Sequence, residues 1–428
     1  MKRSLFSIAA LMTLVVQAAP AQDAGISRGE YVARLANCVA CHSIPEGEPF
    51  AGGLKMDVPF LGAIYTTNIT PDKATGIGDY TLEDFDNAVR GGVAKDGHNL
   101  YPAMPYPSYA KMSDDDISAL YDFFMKEVKG VNQANLPAEI PGWKSPRWPL
   151  KIWNMLFVDN DPYEADDDQS AAWNRGAYLV QGPGHCGACH TPRGLFFQEK
   201  GLDEGDSAYL AGAPLDNWSA PSLNQDVNSG LGRWSVEDIA EFMQKGINRH
   251  GTAFGTMVEV INTSTAHMTA DDLTAMATYL KSLPAVNEKN ATPYSYSDAT
   301  VADLKSPFGK TGARTYFQFC VSCHSVTGNG YAPHPPLAGN PVVLDPDPSS
   351  LINLTINGSL RVYSGEYPDV YGMPYFRLLL DDQQIADVLT FIRSGWGNNQ
   401  PAVSAQQVAD VRAATDPTIH DIVILRMK

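Results

Sequence analysis

Beyond its first 21 residues the sequence has no apolar run that could cross a membrane, a span that takes roughly 20 such residues. Positive charge is short as well: 31 Lys and Arg against 48 Asp and Glu leave the chain at −17. That shortage argues against a nucleic-acid partner, because phosphate binding relies on a basic surface. The acidity does no more than favour solubility. Cysteine is scarce, with six in 428 residues, and none of the six is solitary. They form Cys38/Cys41, Cys186/Cys189 and Cys320/Cys323, and a histidine follows each second cysteine at once: His42, His190 and His324. Disulfides need no such histidine. Zinc takes four ligands and each cluster supplies three. A thioredoxin-like redox pair wants a βαβ context and no triplication.

The length suits two to four domains. Residues 1–21 read as a secretory signal. Lys2 and Arg3 form its charged start, "LFSIAALMTLVV" its apolar core, and Ala19-Pro20-Ala21 a small-residue cleavage site, so Gln22 opens the mature chain. Removal of the leader leaves 29 basic against 48 acidic side chains. The expected location is a bacterial periplasm.

The C-x-x-C-H run is the attachment signature of c-type haem. Two intervening residues let both sulfurs reach one edge of the porphyrin and add to its two vinyl groups. The adjacent histidine then lies beneath the iron as proximal ligand. Three runs that consume every cysteine predict three covalently bound haems.

The sixth ligand decides the chemistry. An occupied position favours electron transfer, and Met/His ligation raises the potential. Between His324 and residue 426 the only methionine is Met373, in "VYGMPYFR". Met104 stands in "LYPAMPYPSY" and shares Met-Pro-Tyr with it. Proline pushes the preceding residue out of helix, as suits a ligand loop. In the middle segment Met257 lies 67 residues after His190, against 62 from His42 to Met104 and 49 from His324 to Met373. Met257 is preferred because, like the others, it precedes the final helix by a loop. Met268 is its rival and His267 a further alternative, while Met243 and Met276 fall inside helix patterns and read as core.

A repeat surrounds the motifs. Short helical stretches precede them: "SRGEYVARLANC", "NRGAYLVQGPGHC" and "GARTYFQFC". After each methionine comes a helix opened by a capping-box pattern: Ser113/Asp116, Thr269/Asp272 and Asp381/Gln384. Each of these helices has one apolar face at i, i+3, i+4, i+7: Ile117, Leu120, Tyr121, Phe124; Leu273, Met276, Ala277, Leu280; Ile385, Val388, Leu389, Ile392. The first two segments also share "YTLEDFDNAVRGG" and "WSVEDIAEFMQKG". The predicted organisation is signal peptide 1–21, haem units 22–130, 173–283 and 306–397, linkers 131–172 and 284–305, and a tail 398–428.

The first linker carries Trp143, Trp148 and Trp153 beside Lys144, Arg147 and Lys151. The expectation is that they pack between haem units; the alternative is docking on a membrane or partner. Arg90, Arg193 and Arg233 lie near the clusters and are candidates to offset haem propionates, or are surface charges. His98, His185, His250, His334 and His420 show no ligand spacing. The tail "DIVILRMK" is either a strand added to a partner or flexible.

The stretches "YTTNITPDKATGIGDYTLEDFDNAVRGG", "DGHNLYPAMPYPSYAKMSDDDISALYDFF", "GHCGACHTPRG", "LGRWSVEDIAEF", "MTADDLTAMATYLKSLP", "PPLAGNP" and "IADVLTFIRSGWGN" are spread over most of the mature chain, from residue 65 to 398. Through them the sequence resembles the three-haem cytochrome c subunits of bacterial membrane-associated dehydrogenases. The resemblance implies a mainly α fold of three tandem class I-like cytochrome c domains with long loops. It implies that Cys38, Cys41, His42 and Met104 serve one haem, Cys186, Cys189, His190 and Met257 the second, and Cys320, Cys323, His324 and Met373 the third. It further implies a separate catalytic subunit of quinoprotein, flavoprotein or molybdenum type acting on an alcohol, aldehyde or sugar, and a small third subunit in some complexes. Electrons pass on to ubiquinone or a terminal oxidase at the periplasmic face of the cytoplasmic membrane. The chain is then an electron carrier with no catalytic residue of its own. The competing readings, a multihaem peroxidase or a haem-based ligand sensor, each need an open sixth position.

Overall fold

The computed structural model describes residues 25–417 except 59–60, 216, 289–290, 307–308, 361 and 363–371. The expected leader, His420 and the "DIVILRMK" end lie outside the described residues. Thirteen helices of seven residues or more carry the fold among those described. They are α1 (Arg28–Leu35), α2 (Leu82–Val89), α3 (Asp114–Lys126), α4 (Trp148–Phe157), α5 (Ala171–Gln181), α6 (Val236–Lys245), α7 (Met257–Thr263), α8 (Ala270–Ser282), α9 (Ala299–Lys305), α10 (Ala313–Phe319), α11 (Ser349–Asn357), α12 (Asp382–Ser394) and α13 (Ala405–Ala414). Among the described residues strand is confined to three antiparallel hairpins, Lys55–Val58 with Gly62–Tyr65, Ala213–Leu215 with Trp218–Ala220, and Ile247–Asn248 with Gly251–Thr252.

One helix crossing occurs three times. The helix before each C-x-x-C-H run lies on the helix that closes the same segment: α1 on α3, α5 on α8, α10 on α12. Each crossing has a glycine at its closest point. A Cβ on Gly29 would lie 2.1 Å from Ala119 O, one on Gly176 2.0 Å from Ala275 O, and one on Gly312 2.1 Å from Asp387 O. Backbone meets backbone there, and no side chain fits. Gly176→Ala therefore forces the helices apart and is expected to lower stability by about 1–3 kcal/mol, read as a shift in the urea midpoint.

Around the crossings the predicted faces are buried. Ile117, Leu120 and Phe124 join Val32, Phe85 and Met112; Leu273, Met276, Ala277 and Leu280 join Trp173 and Leu179; Ile385, Val388, Leu389 and Ile392 join Tyr316 and Phe376. Leu35 of α1 belongs to the middle cluster, so the first segment is packed on the second.

Two of the three capping boxes differ from expectation. Asp381 and Gln384 cap reciprocally at α12. Ser113 and Thr269 accept from the N3 amides of α3 and α8, but the N3 carboxylates turn away. Asp116 accepts from Arg28 Nε at 2.8 Å and from the Tyr178 hydroxyl of the second segment. Asp272 accepts from Arg175 Nε and Nη2, both at 2.8 Å, and from the Tyr31 hydroxyl of the first segment at 2.7 Å. The N-cap amides freed by this turn donate to the same tyrosines, Ser113 N–H to Tyr178 and Thr269 N–H to Tyr31, each at 3.3 Å. Segments one and two thus exchange tyrosines across a near-symmetric interface. Segment three takes no part, since Tyr316 donates to Ser325 O.

The connecting stretches are tied down. Asn68 Nδ2 donates to Val131 O at 2.8 Å, and the amides of Val286, Asn287 and Glu288 all donate to Asp226 Oδ1 at 2.9 Å. The tryptophans of the first linker do not pack as expected. Trp143 is 80 % and Trp148 68 % exposed. Only Trp153 is half-buried; it donates Nε1 to Phe196 O and sets its edge on Tyr106. No helix among the described residues is long and apolar enough to cross a membrane.

Candidate haem sites

Each C-x-x-C-H run folds as one helical turn. The histidine amide donates to the carbonyl of the first cysteine: His42 to Cys38 O at 3.0 Å, His190 to Cys186 O at 3.0 Å, His324 to Cys320 O at 2.9 Å. That turn brings both thiols and the imidazole to one place. No disulfide joins any of the six cysteines. Burial pushes Cys38, Cys186 and Cys320 up to about 12, and Cys41 to about 11 with Glu259 and Cys189 adding to the rise. They are protonated thiols in apolar surroundings, unlike the low-pKa thiolate of a redox-active cysteine.

The imidazoles are fixed alike. His42 Nδ1 lies 2.7 Å from Thr67 O, His190 Nδ1 2.8 Å from Pro221 O and His324 Nδ1 3.0 Å from Pro335 O. A carbonyl only accepts, so Nδ1 carries the proton and Nε2 keeps its lone pair for a metal. Burial holds the pKa of all three below the usual histidine value, which keeps the ring neutral and ligand-ready. Sequence reasoning missed these carbonyls, because a backbone acceptor has no residue-type signature. The faint signal is a recurrent Pro-x-Leu at Pro221/Leu223 and Pro335/Leu337.

The middle site has a measurable cavity of about 230 Å³. Cys186, Cys189 and His190 border it, with Trp218, Leu231 and Trp234 among its apolar walls. Two thiols, an Nε2 donor and an apolar slot fit a covalently held haem. Met257 and Met268 both line this cavity. Met257 opens helix α7, which lies in the stretch expected to be a loop before the closing helix, whereas Met268 is buried in the middle cluster. Met104 stands nine residues before the N-cap of its closing helix, Met373 eight, Met257 twelve and Met268 one. Met104 packs on the first cluster and Met373 on the third. Their shared tyrosine does two jobs: Tyr106 is buried and donates to Asn154 Oδ1, while Tyr375 is exposed.

The cavity also has walls from the other segments, Leu35 and Asn37 from the first and Asn340, Pro341 and Val342 from the third. Asn37 precedes Cys38 and accepts from the Thr263 hydroxyl at 2.6 Å. Tyr109 donates to Ala36 O and sets its ring against His185, which precedes Cys186. The first and second thiol pairs are therefore neighbours.

The three arginines are engaged. Arg90 pairs with Asp86 and Asp114, Arg233 donates to Val227 O and Gly339 O, and Arg193 to Phe197 O and Ala188 O. Arg193 also faces Glu199 at 3.6 Å. Burial raises Glu199 to about 7, and its Oε2 has no hydrogen-bond partner among the described residues. Its folded pKa exceeds the unfolded value, so this group's contribution is fully present below about pH 4.5 and is lost as pH rises through about 7. Glu199→Gln is expected to raise stability at pH 8 by about 2–3 kcal/mol, with no gain at pH 4, in urea titrations at the two pH values.

Comparison with known proteins agrees with this geometry. The cytochrome c family model matches residues 174–284 and 309–396. The chain is 48 % identical over 417 residues to the cytochrome c subunit of the quinone-type alcohol dehydrogenase of Gluconobacter oxydans, covering 95 % of this chain and 87 % of that protein. It is 47 % identical to the gluconate 2-dehydrogenase cytochrome c subunit of Pantoea cypripedii, over 92 % of this chain and 90 % of that one. It is 38 % identical to the fructose dehydrogenase cytochrome subunit of Gluconobacter japonicus, over 92 % and 84 %. Likeness of this extent and depth places it: the chain belongs to the family of cytochrome c subunits of alcohol, gluconate and fructose dehydrogenases.

Proposed function

We propose that this chain is the electron-transfer subunit of a periplasmic alcohol, aldehyde or sugar dehydrogenase, passing electrons through three haems to ubiquinone or a terminal oxidase. It works at the periplasmic face of the cytoplasmic membrane, in three tandem class I-like cytochrome c domains at 22–130, 173–283 and 306–397. The carrying observation is the threefold C-x-x-C-H turn with its histidine oriented by a backbone carbonyl. Cys38/Cys41, Cys186/Cys189 and Cys320/Cys323 hold the haems. His42, His190 and His324 are the proximal ligands, and Met104, Met257 and Met373 the distal ones. A filled sixth position suits electron transfer and not peroxidase or sensor chemistry. The haems supply one-electron redox chemistry; the chain supplies the ligands, the apolar burial and the spacing. The middle haem is the relay, because residues of the other two segments wall its cavity.

The third site has an apolar rim that suits a protein partner. Phe319, Tyr331, Tyr375, Leu378 and Leu379 are all exposed, Leu378 at 83 %. This rim is where the catalytic subunit docks. Leu378→Asp with Leu379→Asp is expected to release the catalytic subunit on size exclusion while the haem content stays unchanged.

The function is tested by a tagged pull-down from solubilised membranes. Ethanol, acetaldehyde, gluconate, sorbitol and fructose are then added in turn while haem reduction is followed. Reduction by one substrate together with a co-purified large subunit supports the reading. A chain that purifies alone and is reduced by none of them overturns it.

A further inference from the structure

Helix α4 buries none of its ten side chains. Its sequence, WPLKIWNMLF, is nearly all apolar, and Trp148, Ile152, Met155 and Leu156 are exposed. Trp143 stands just before it. A second element extends this surface. Leu195, 94 % exposed, lies beside Phe196 and Phe197 on the loop after the middle haem motif. The bond from Trp153 Nε1 to Phe196 O and the contact of Phe157 with Phe196 hold loop and helix together. An exposed patch with this many large apolar side chains marks an interaction surface.

Charge identifies what covers it. Residues 142–157 carry Lys144, Arg147 and Lys151 and no acidic residue, within a chain of net charge −17. Lys144 lies over the Trp143 ring at 4.9 Å and Arg147 over the Tyr101 ring at 3.9 Å. Tryptophans beside cations on a short, one-sided apolar helix are the composition of an interfacial helix on an anionic bilayer. Acidic residues begin again at Asp159, where the chain turns back: Tyr163 N–H donates to Lys111 O and Asp166 N–H to Asn174 Oδ1. Positive charge therefore clusters at the Trp143–Lys151 end of the patch.

We infer that α4 with the Leu195–Phe197 loop is the surface by which this chain lies on an anionic phospholipid bilayer. The patch inserts its apolar side chains at headgroup depth, and Lys144 and Lys151 meet lipid phosphates. The inference gives a location to the membrane placement proposed above. Its test uses no electron transfer, so the two fail separately.

The test is co-sedimentation of the full-length three-haem protein with vesicles of phosphatidylcholine alone or with phosphatidylglycerol. The wild type is expected to sediment with the anionic vesicles, more weakly at high salt, with tryptophan emission shifted to the blue. Trp148→Ser with Ile152→Ser should weaken binding at least tenfold. Lys144→Gln with Lys151→Gln should remove the preference for phosphatidylglycerol. Trp148, Lys151 and Ile152 are exposed and Lys144 is half-buried, and an unchanged haem spectrum verifies the fold. Wild type that stays in the supernatant overturns the inference, as do variants that bind like wild type. So does a Trp148/Ile152 variant that sheds the catalytic subunit yet still binds vesicles, because the patch would then be a protein interface.

Discussion

Asp272→Ala is expected to cost about 3–5 kcal/mol, because it strands a largely buried guanidinium. Arg175 spends two hydrogen bonds on Asp272, and its side chain is 24 % exposed. The loss does not stop within the second segment, since Tyr31 of the first gives its hydroxyl to the same carboxylate. Tyr31→Phe alone should cost about 1.5–3 kcal/mol, the range for a hydrogen bond to a charged group. The two changes together should fall short of their sum by the energy of the shared bond. Gln384→Ala, at the equivalent position of α12, loses only a solvent-exposed cap and should cost about 1 kcal/mol or less. Urea unfolding followed by circular dichroism checks all four. Equal losses at Asp272 and Gln384 would show that the tyrosine exchange contributes nothing.

The two methionines of the middle cavity should behave in opposite ways. Met257→Ala should open the sixth position of one haem. The reduced protein then binds carbon monoxide, and one of its three redox steps moves to lower potential, because Met/His ligation raises it. Stability should change little, as Met257 is only half-buried at the start of α7. Met268→Ala removes a side chain buried among Leu273, Met276 and Leu280 and should cost about 2–5 kcal/mol. It should leave the carbon monoxide spectrum silent. The reverse pattern assigns the iron to Met268.

What the sequence made legible was local. Cys-x-x-Cys-His places three groups within one turn, so its geometry is written in five consecutive residues. The helix starts at Ser113, Thr269 and Asp381 were legible for the same reason. The errors came from partners far along the chain. Asp116 and Asp272 look like N3 capping residues, and only the packing of one segment on another turns them to Tyr178 and Tyr31. The carbonyls that orient the three motif histidines lie 25, 31 and 11 residues away, with no spacing rule to find them. Trp143 and Trp148 were assigned to the interior on residue type, yet composition does not say what covers a tryptophan. Met257 was expected to precede the closing helix by a loop, like Met104, and that stretch also holds the seven-residue helix Met257–Thr263.

The Tyr31–Asp272 bond joins residues 241 apart. A growing chain reaches residue 31 early and must wait for residue 272 before this contact can close. Until then Leu35 lacks the middle cluster that buries it, and Asn37, beside Cys38, lacks Thr263. The entropic toll of so long a loop falls on the rate of assembly more than on the final stability. The surroundings of Cys38 and Cys41 are therefore completed late, only when the second segment docks.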